Sequence, residues 1–432
     1  MSSGNDERLA SRARKTERKL LCFAGIYAIA GMLVLFLEGP GESGRVALFA
    51  GIASVAAFFL VNIYWSYEGY RADCFLLPVT AVISTTGLVF LFRIDPAYGI
   101  RQFAWLLIGL LALILTTRLL VDFRFLGDYK YIYAVAGLIA LLLPIFFGRE
   151  MGGAKSWLDF GIFHFQPSEF VKILLVLFLA SFLSENRAVL TAGTRSIGWL
   201  SLPGPKEWVP LAAMWGISLL LLIFQRDLGT ALIYFGTFLA MVYVTTSRLF
   251  YVLSGLGLFV AGAAASFHFF QHVRARVEIW LNPWPYIDTS GYQVTQSLFA
   301  IGSGGVLGTG LGQGYPKFIP LVHTDFIFSA ICEEMGFLGA AGVMILFIVF
   351  IFRGIKIALN SRDDFEALAA SGLTALMGLQ AFIIIAGVTK LLPLTGVTLP
   401  FMSYGGSSLV ANFILFGLLS NISHEAENSH EK

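Results

Sequence analysis

Long apolar runs alternate with short polar intervals along almost the whole chain. Between Leu20 and Ile422, about twelve of these runs approach the roughly 20 residues that a helix needs to cross the hydrocarbon core of a membrane. Helices are the expected structure, because lipid offers no hydrogen-bond partners to an exposed backbone. The pattern therefore predicts an all-α, polytopic integral membrane protein with about twelve transmembrane helices.

One polar interval is far longer than the others. It covers residues 268–325, roughly 55 to 60 residues, between the ninth and tenth predicted spans. Loops of this length are uncommon unless they have a function. The interval ends in His323, Thr324 and Asp325 at the start of an apolar run. We therefore expect the chemistry of the protein at this end of the interval.

Composition and charge support a membrane protein and predict its orientation. A chain of 432 residues that is 57% hydrophobic and 13% charged, with a mean hydropathy of +0.77, is not a water-soluble globule. If alternate loops are cytoplasmic from the amino terminus onward, about 18 of the 29 Lys and Arg residues lie inside. Both termini are therefore predicted to be cytoplasmic and the 268–325 interval to be outside. Membrane lipids are the expected surroundings, and no nucleic-acid partner is expected.

Several ionisable residues lie unusually close to apolar runs, where they are costly and usually functional. Arg101 precedes the fourth span and either binds an anion or only extends its charge to the membrane surface. Glu169 and Lys172 lie one helical turn apart, so they either serve a site or neutralise each other. Asp227 precedes the eighth run, where an N-cap is the alternative to a functional role.

The long interval is rich in glycine, which allows a backbone to approach a ligand closely. Clustered backbone N–H groups of this kind could hold a phosphate, and Arg274, Arg276 and Lys317 could add positive charge. A flexible hinge is the alternative. The glycines are Gly302, Gly304, Gly305, Gly308, Gly310, Gly312 and Gly314.

The tenth helix is predicted to begin at His323–Asp325 and to carry Glu333 and Glu334 about two turns further on. At about 100° per residue, Glu333 lies roughly 80° from Asp325 around the helix, so the two carboxylates could border one polar cavity. A purely structural role for the glutamate pair is the less favoured alternative. A helix amino terminus lowers the pKa of Asp325 whereas burial raises it, and the sequence does not decide between them.

Two further polar residues follow the eleventh span. Lys390 lies at the predicted outer edge of the membrane. Ser403 belongs to a stretch of small residues that permits close helix contact, so packing alone could account for it.

Five motifs occur in order along the chain: FQPSEFVK, RDLGTA, NPW…GYQVTQSLFAIGSGG, HTDFIFS…EEMGFLG and LPFMSYGGSS. With them the chain resembles the SEDS family of RodA, FtsW and SpoVE over roughly residues 76–423, and it is RodA-like. The family usually has ten spans. The resemblance therefore implies a cytoplasmic tail at 1–19, two added helices within 20–70, a SEDS core at 71–423 and a cytoplasmic tail at 424–432.

The resemblance implies a peptidoglycan glycosyltransferase that polymerises lipid II on the outer face of the bacterial cytoplasmic membrane, for cell-shape, division or sporulation wall synthesis. The catalytic aspartate of the family falls on Asp325, which would act as general base in an inverting displacement. A divalent cation, Mg²⁺ or Mn²⁺, is the expected cofactor, with Asp325 also a candidate ligand. The residues predicted to bind substrate are Arg101, Glu169, Lys172, Asp227, Arg274, Lys317, His323, Glu333, Lys390 and Ser403.

A class B penicillin-binding transpeptidase is the expected partner. Two other classes of function remain: a transporter that flips lipid II, and a non-catalytic scaffold for the transpeptidase. The chain shows no strong internal repeat, which argues against a transporter built from inverted halves.

The chain also departs from the family in two places. Arg226 replaces a frequent proline, and Leu321 and Val322 stand where a glutamate is often found.

Overall fold

The computed structural model describes residues 3–120, 122–151, 154–161, 164–192, 195–197, 200–202 and 205–429. Within them the chain forms fourteen α-helices: α1 Ser3–Glu38, α2 Glu42–Tyr67, α3 Leu76–Ile94, α4 Pro96–Leu119, α5 Lys130–Phe147, α6 Pro167–Ala192, α7 Pro205–Phe224, α8 Leu228–Thr246, α9 Leu249–Phe269, α10 Gln271–Leu281, α11 Tyr292–Gly304, α12 Ile327–Asn360, α13 Asp364–Val388 and α14 Gly406–Ser429.

Eleven helices in the described part of the chain are long and apolar enough to cross a membrane. The remaining predicted span, the seventh in chain order, corresponds to α7, where the described apolar stretch is Trp215–Phe224. The all-α, multi-span architecture is thus confirmed. The 268–325 interval is partly helical, since it contains α10 and α11.

Short strands occur in two of the connections between helices. Strands β1 Arg149–Met151, β2 Ala154–Asp159 and β3 His164–Phe165 form an antiparallel sheet between α5 and α6. Strands β4 Arg195–Ile197 and β5 Leu200–Leu202 form a hairpin between α6 and α7.

The chain divides into two compact units. The first comprises Met1–Leu119, Phe270–Arg353 and Gln380–Glu431. In it α1 packs on α2 and α3, and α4 packs on α3 and α14. Two contacts are too close for any side chain but glycine: a Cβ atom at Gly87 would lie 2.3 Å from the Met402 carbonyl oxygen, and one at Gly406 would lie 2.3 Å from the Trp105 ring. The small residues of the LPFMSYGGSS motif therefore do serve close packing.

The second unit comprises Leu120–Phe269 and Gly354–Leu379. Helix α5 packs on α6 and α7, and α8 packs on α6, α7 and α9. Helix α6 is largely buried within the protein, whereas α9 exposes nearly all of its apolar side chains, which suits a helix that faces lipid.

The turn between α7 and α8 yields a first prediction, at a place where the sequence departs from the family that it resembles. Arg226 has a φ of 60°, and its N–H donates to the Ile223 carbonyl at 3.0 Å. Proline has a φ near −65° and no N–H, so this turn excludes it. We expect Arg226→Pro to destabilise the protein by more than about 2 kcal/mol. Thermal unfolding of the purified protein in detergent measures this effect.

Arg226→Gly is the matched control. Glycine adopts the same φ without strain and loses only an exposed ion pair with Glu150, so its melting temperature should stay close to wild type. Equal losses in the two variants would contradict the backbone explanation.

Candidate active site

Asp325 lies in a tight turn immediately before α12. Leu321 has a φ of 55°, and its carbonyl accepts hydrogen bonds from the N–H groups of Thr324 at 3.1 Å and Asp325 at 3.2 Å. Helix α12 begins only at Ile327. The prediction that the helix starts at His323–Asp325 is therefore wrong, because these residues form the turn that precedes it.

A second chain segment holds this turn in place. The Ser403 hydroxyl donates to the Thr324 carbonyl at 2.5 Å and accepts from the Leu399 N–H at 2.9 Å. The Tyr404 N–H donates to the His323 carbonyl at 2.8 Å. The Ser403 hydroxyl is thus engaged with the backbone on both sides and braces the turn that carries Asp325. Its substrate-binding role stays a prediction.

Three rings from separate parts of the chain meet beside this turn, and we call them the aromatic cluster: Tyr98, His323 and Tyr404. The rings of Tyr98 and His323 stack with centroids 4.0 Å apart and planes 11° apart, and Tyr404 lies 5.0 Å from Tyr98. All three side chains are half-buried, and burial lowers the pKa of His323 against the opposing charge of Asp95. In the described part of the chain, neither tyrosine hydroxyl has a hydrogen-bond partner.

The electrostatic surroundings raise the pKa of Asp325 to about 6. Burial is the main cause, while hydrogen bonding from Thr324 and the positive charge of Arg276 oppose it. The carboxyl group keeps some accessible surface, but protein atoms surround it densely enough for desolvation to prevail. Of the two effects recognised in the sequence, burial is the one that accounts for the raised pKa.

Arg276 and a glycine complete the immediate surroundings of Asp325. The Arg276 guanidinium donates to the Thr395 carbonyl at 3.4 Å. The next residue, Gly396, has a φ of 74°, and a Cβ atom there would lie 3.5 Å from Asp325 Oδ2. Glycine thus leaves the carboxyl group open on this side. The arrangement pairs a weakly acidic carboxyl with a nearby permanent cation.

The remaining cationic residues that were predicted to bind substrate differ in their hydrogen-bond partners and in their exposure. The Lys390 carbonyl accepts from the Trp280 indole at 3.1 Å, and its amine lies 3.5 Å from the Leu281 carbonyl. Arg274 pairs with Glu278 on α10 at 2.8 Å. Arg101 on α4 and Lys317 in a short 3₁₀ turn are exposed. Their roles toward a substrate stay predictions.

Several N–H groups of the glycine-rich stretch are already hydrogen-bonded within the protein. These groups are therefore not available to bind a ligand. The Gly312 N–H donates to Glu334 at 3.1 Å and the Tyr315 N–H to Glu333 at 2.9 Å. The N–H groups of Thr309 and Gly310 donate to the carbonyls of the same two glutamates. Both glutamates therefore have a structural role, because they anchor the glycine-rich stretch to α12. The substrate-binding role of Glu333 stays a prediction.

A polar cluster in the second unit contains three more predicted site residues. The Lys172 amine donates to Glu169 at 2.6 Å, and both side chains are buried, so the self-neutralising pair is confirmed. Asp227 accepts from the Thr230 N–H at 3.1 Å as the N-cap of α8. Burial raises the pKa of Asp227, with Thr230 opposing and the charge of Glu169 adding to the effect. A substrate role for the three residues stays a prediction.

A metal site was tested against the donor groups present. Among the residues that the structure describes, no group of three or more His, Cys, Asp or Glu side chains could hold a metal ion. The described residues therefore do not form a metal cage by themselves. Mg²⁺ typically binds one or two carboxylates together with substrate phosphates. Asp325 fits a cation of that kind, held mainly by a pyrophosphate.

Comparison with known proteins identifies the family. A family model described as "Cell cycle protein", for FtsW, RodA and SpoVE, matches residues 70–428. The chain belongs to this family. It is 38% identical to the peptidoglycan glycosyltransferase RodA of Mycobacterium leprae, over 96% of this chain and 91% of that protein. It is 34% identical to the stage V sporulation protein E of Bacillus subtilis, over 81% of this chain and 96% of that protein.

Two solved structures share the SEDS fold. One belongs to a peptidoglycan synthase complex described as coordinating polymerization and crosslinking, with 30% identity, a TM-score of 0.69, and coverage of 82% of this chain and 98% of that chain. The other is the rod shape determining protein RodA of Thermus thermophilus, with 28% identity, a TM-score of 0.58, and coverage of 82% and 97%. The SEDS boundary at residue 71 and the roles of the individual site residues stay predictions.

Sequence reasoning missed several residues around the turn. Tyr98 carried no signal and Tyr404 was visible only as part of the LPFMSYGGSS motif, because their contact with His323 depends on how distant segments pack. Arg276 was visible as a charge within the long interval, but its proximity to Asp325 was not.

Proposed function

We propose that this SEDS protein is a peptidoglycan glycosyltransferase that polymerises lipid II, with Asp325 as general base. The observation that carries the proposal is a carboxyl group of raised pKa, about 6, held in a braced turn near Arg276. A base with a pKa just below neutral is ionised at physiological pH and still accepts a proton readily. The names of the RodA and FtsW relatives support the same activity.

The residues suggest how the reaction proceeds. Asp325 takes the proton from the attacking sugar hydroxyl, whose oxygen bonds to the anomeric carbon while the bond to pyrophosphate breaks, so the anomeric centre inverts. Arg276 supplies positive charge close to Asp325, which favours the ionised carboxylate that acts as the base. Negative charge develops on the departing pyrophosphate, on the opposite face of the anomeric carbon, and a divalent cation bound with the pyrophosphate would neutralise it.

The location and partners follow from the same function. We place the protein in the bacterial cytoplasmic membrane with both termini in the cytoplasm and residues 268–325 outside. This orientation is supported by the charge distribution along the sequence. A class B penicillin-binding transpeptidase is the proposed partner, in keeping with the complex of polymerization and crosslinking to which the chain is similar.

The deciding experiment uses the full-length protein, reconstituted in liposomes with its cognate transpeptidase and Mg²⁺. Purified lipid II is added, and the length of the glycan product is measured. We expect a glycan polymer to form even when the transpeptidase active site is blocked. No polymer, together with lipid II crossing between leaflets in a parallel assay, would instead support a transporter. If both activities are absent, only the scaffold role remains.

A further prediction concerns the aromatic cluster. Sugar rings present apolar C–H faces that pack on aromatic side chains, and the unpaired tyrosine hydroxyls can bind sugar hydroxyls. We expect Tyr98→Leu to raise the KM for lipid II roughly 3- to 10-fold with little change in kcat. Initial rates over a range of lipid II concentrations separate the two parameters. Tyr67→Leu, at an exposed tyrosine ending α2, is the control. An unchanged KM in Tyr98→Leu would exclude a sugar contact.

A further inference from the structure

Residues Gly312–Gly314, which we call the clasped segment, are held by side chains from three helices of the first unit. Arg93 of α3 donates to the carbonyls of Gly312 at 2.5 Å and Gly314 at 3.0 Å. Glu334 of α12 accepts from the Gly312 N–H at 3.1 Å and pairs with Arg93 at 3.1 Å. The Arg93–Glu334 ion pair thus binds both backbone donors and backbone acceptors of the segment.

The third helix is α1, one of the two helices that precede the family-matched residues 70–428. Its last residue, Glu38, accepts a hydrogen bond from the Gln313 side-chain amide at 3.1 Å. The Glu38 carboxylate also lies against the Gly312 α-carbon, where a Cβ atom would be only 1.7 Å from Oε2. Gly312 has a φ of 91°, so glycine serves both the backbone conformation and the close contact.

The position of Glu38 is not explained by the stability of its own helix. A negative charge at a helix carboxyl terminus opposes the helix dipole and is mildly destabilising. Glu38 is also exposed, so burial contributes little to its placement. The contact with the clasped segment is the interaction that the structure offers for this side chain.

We propose that α1 positions the clasped segment, with Glu38 as the positioning residue. Helices α3 and α12 lie within the family-matched region, whereas α1 contacts the segment from outside that region. The clasped segment connects through Lys317 to the turn that carries Asp325. A restraint on the segment therefore also restrains the residues that lead to that turn. The consequence for catalysis rests on the proposed function, whereas the restraint itself does not.

The restraint is tested by hydrogen–deuterium exchange on the full-length protein in lipid nanodiscs. We expect Glu38→Ala to speed exchange across residues 310–315 roughly 3- to 10-fold, as for the loss of one net hydrogen bond. Gln313→Ala should have a similar effect, and the double variant should add little to either single change. Glu38→Gln keeps an oxygen acceptor and should preserve protection. Glu42→Ala, at an exposed acid beginning α2, is the matched control.

The outcomes separate the inference from the proposed function. Unchanged exchange in Glu38→Ala, or fully additive effects in the double variant, would overturn the positioning role. Faster exchange within α1 itself would also overturn it, because Glu38 would then act on helix stability. With lipid II, Glu38→Ala should lower kcat/KM about 2- to 10-fold and leave its pH profile unchanged. A wild-type protein that makes no polymer would refute the proposed function but leave the exchange result intact.

Discussion

Asp325→Asn is expected to lower glycan polymerisation by about 10²- to 10⁴-fold, the contribution that a positioned general base makes. Asparagine keeps the size of the side chain but cannot accept the hydroxyl proton. The turn itself should survive, because it is held by backbone groups and by the Ser403 hydroxyl. Polymer formation from lipid II measures the loss. A melting temperature near the wild-type value shows that the variant is folded, and full activity in a folded variant would exclude the general-base role.

The pH dependence tests the same role independently. With a pKa of about 6, Asp325 is protonated and inactive as a base at low pH, so kcat/KM should rise as the pH increases through about 6 and then level off. Arg276 lowers this pKa, so Arg276→Gln should move the rise to higher pH as well as reduce the maximum rate. A shift to lower pH would contradict the electrostatic coupling.

Gly336→Ala is expected to destabilise the protein by more than about 3 kcal/mol. Gly336 interrupts α12 with a φ of 65° and a ψ of −165°, a conformation that is essentially restricted to glycine. A Cβ atom there would also lie 2.2 Å from the Gly308 nitrogen. The interruption frees backbone groups that the glycine-rich stretch then satisfies, since the Phe337 N–H donates to the Gly305 carbonyl at 2.9 Å. Alanine would therefore separate the stretch from the helix.

The matched control lies on the same helix. A Cβ atom at Gly342 would meet no other atom within 4 Å, so Gly342→Ala should be neutral or stabilising by roughly 0.5–1 kcal/mol. Thermal unfolding in detergent compares the two variants. Gly336→Ala with wild-type stability would show that the interruption of α12 is dispensable.

Two sequence interpretations left out a structural role, and for the same physical reason. Glu333 and Glu334 looked like a buried site because carboxylates within an apolar helix are costly. Their partners are backbone N–H groups about twenty residues earlier and, for Glu334, Arg93 on α3. Ser403 was similarly assigned to substrate, although its hydroxyl braces the Asp325 turn. A polar residue type indicates that a partner is needed, but only the fold identifies that partner.

The sequence by itself determined the membrane class, the helical architecture and the family. Lipid forces each long apolar run to satisfy its backbone locally, so a run of sufficient length predicts a helix without knowledge of its neighbours. The ordered motifs marked Asp325 as the candidate base through the resemblance to the family. The tertiary structure alone decided that burial prevails at Asp325, that Tyr98 and Tyr404 flank His323, and that α1 reaches the clasped segment. Desolvation, ring stacking and such contacts depend on atoms brought together from distant parts of the chain.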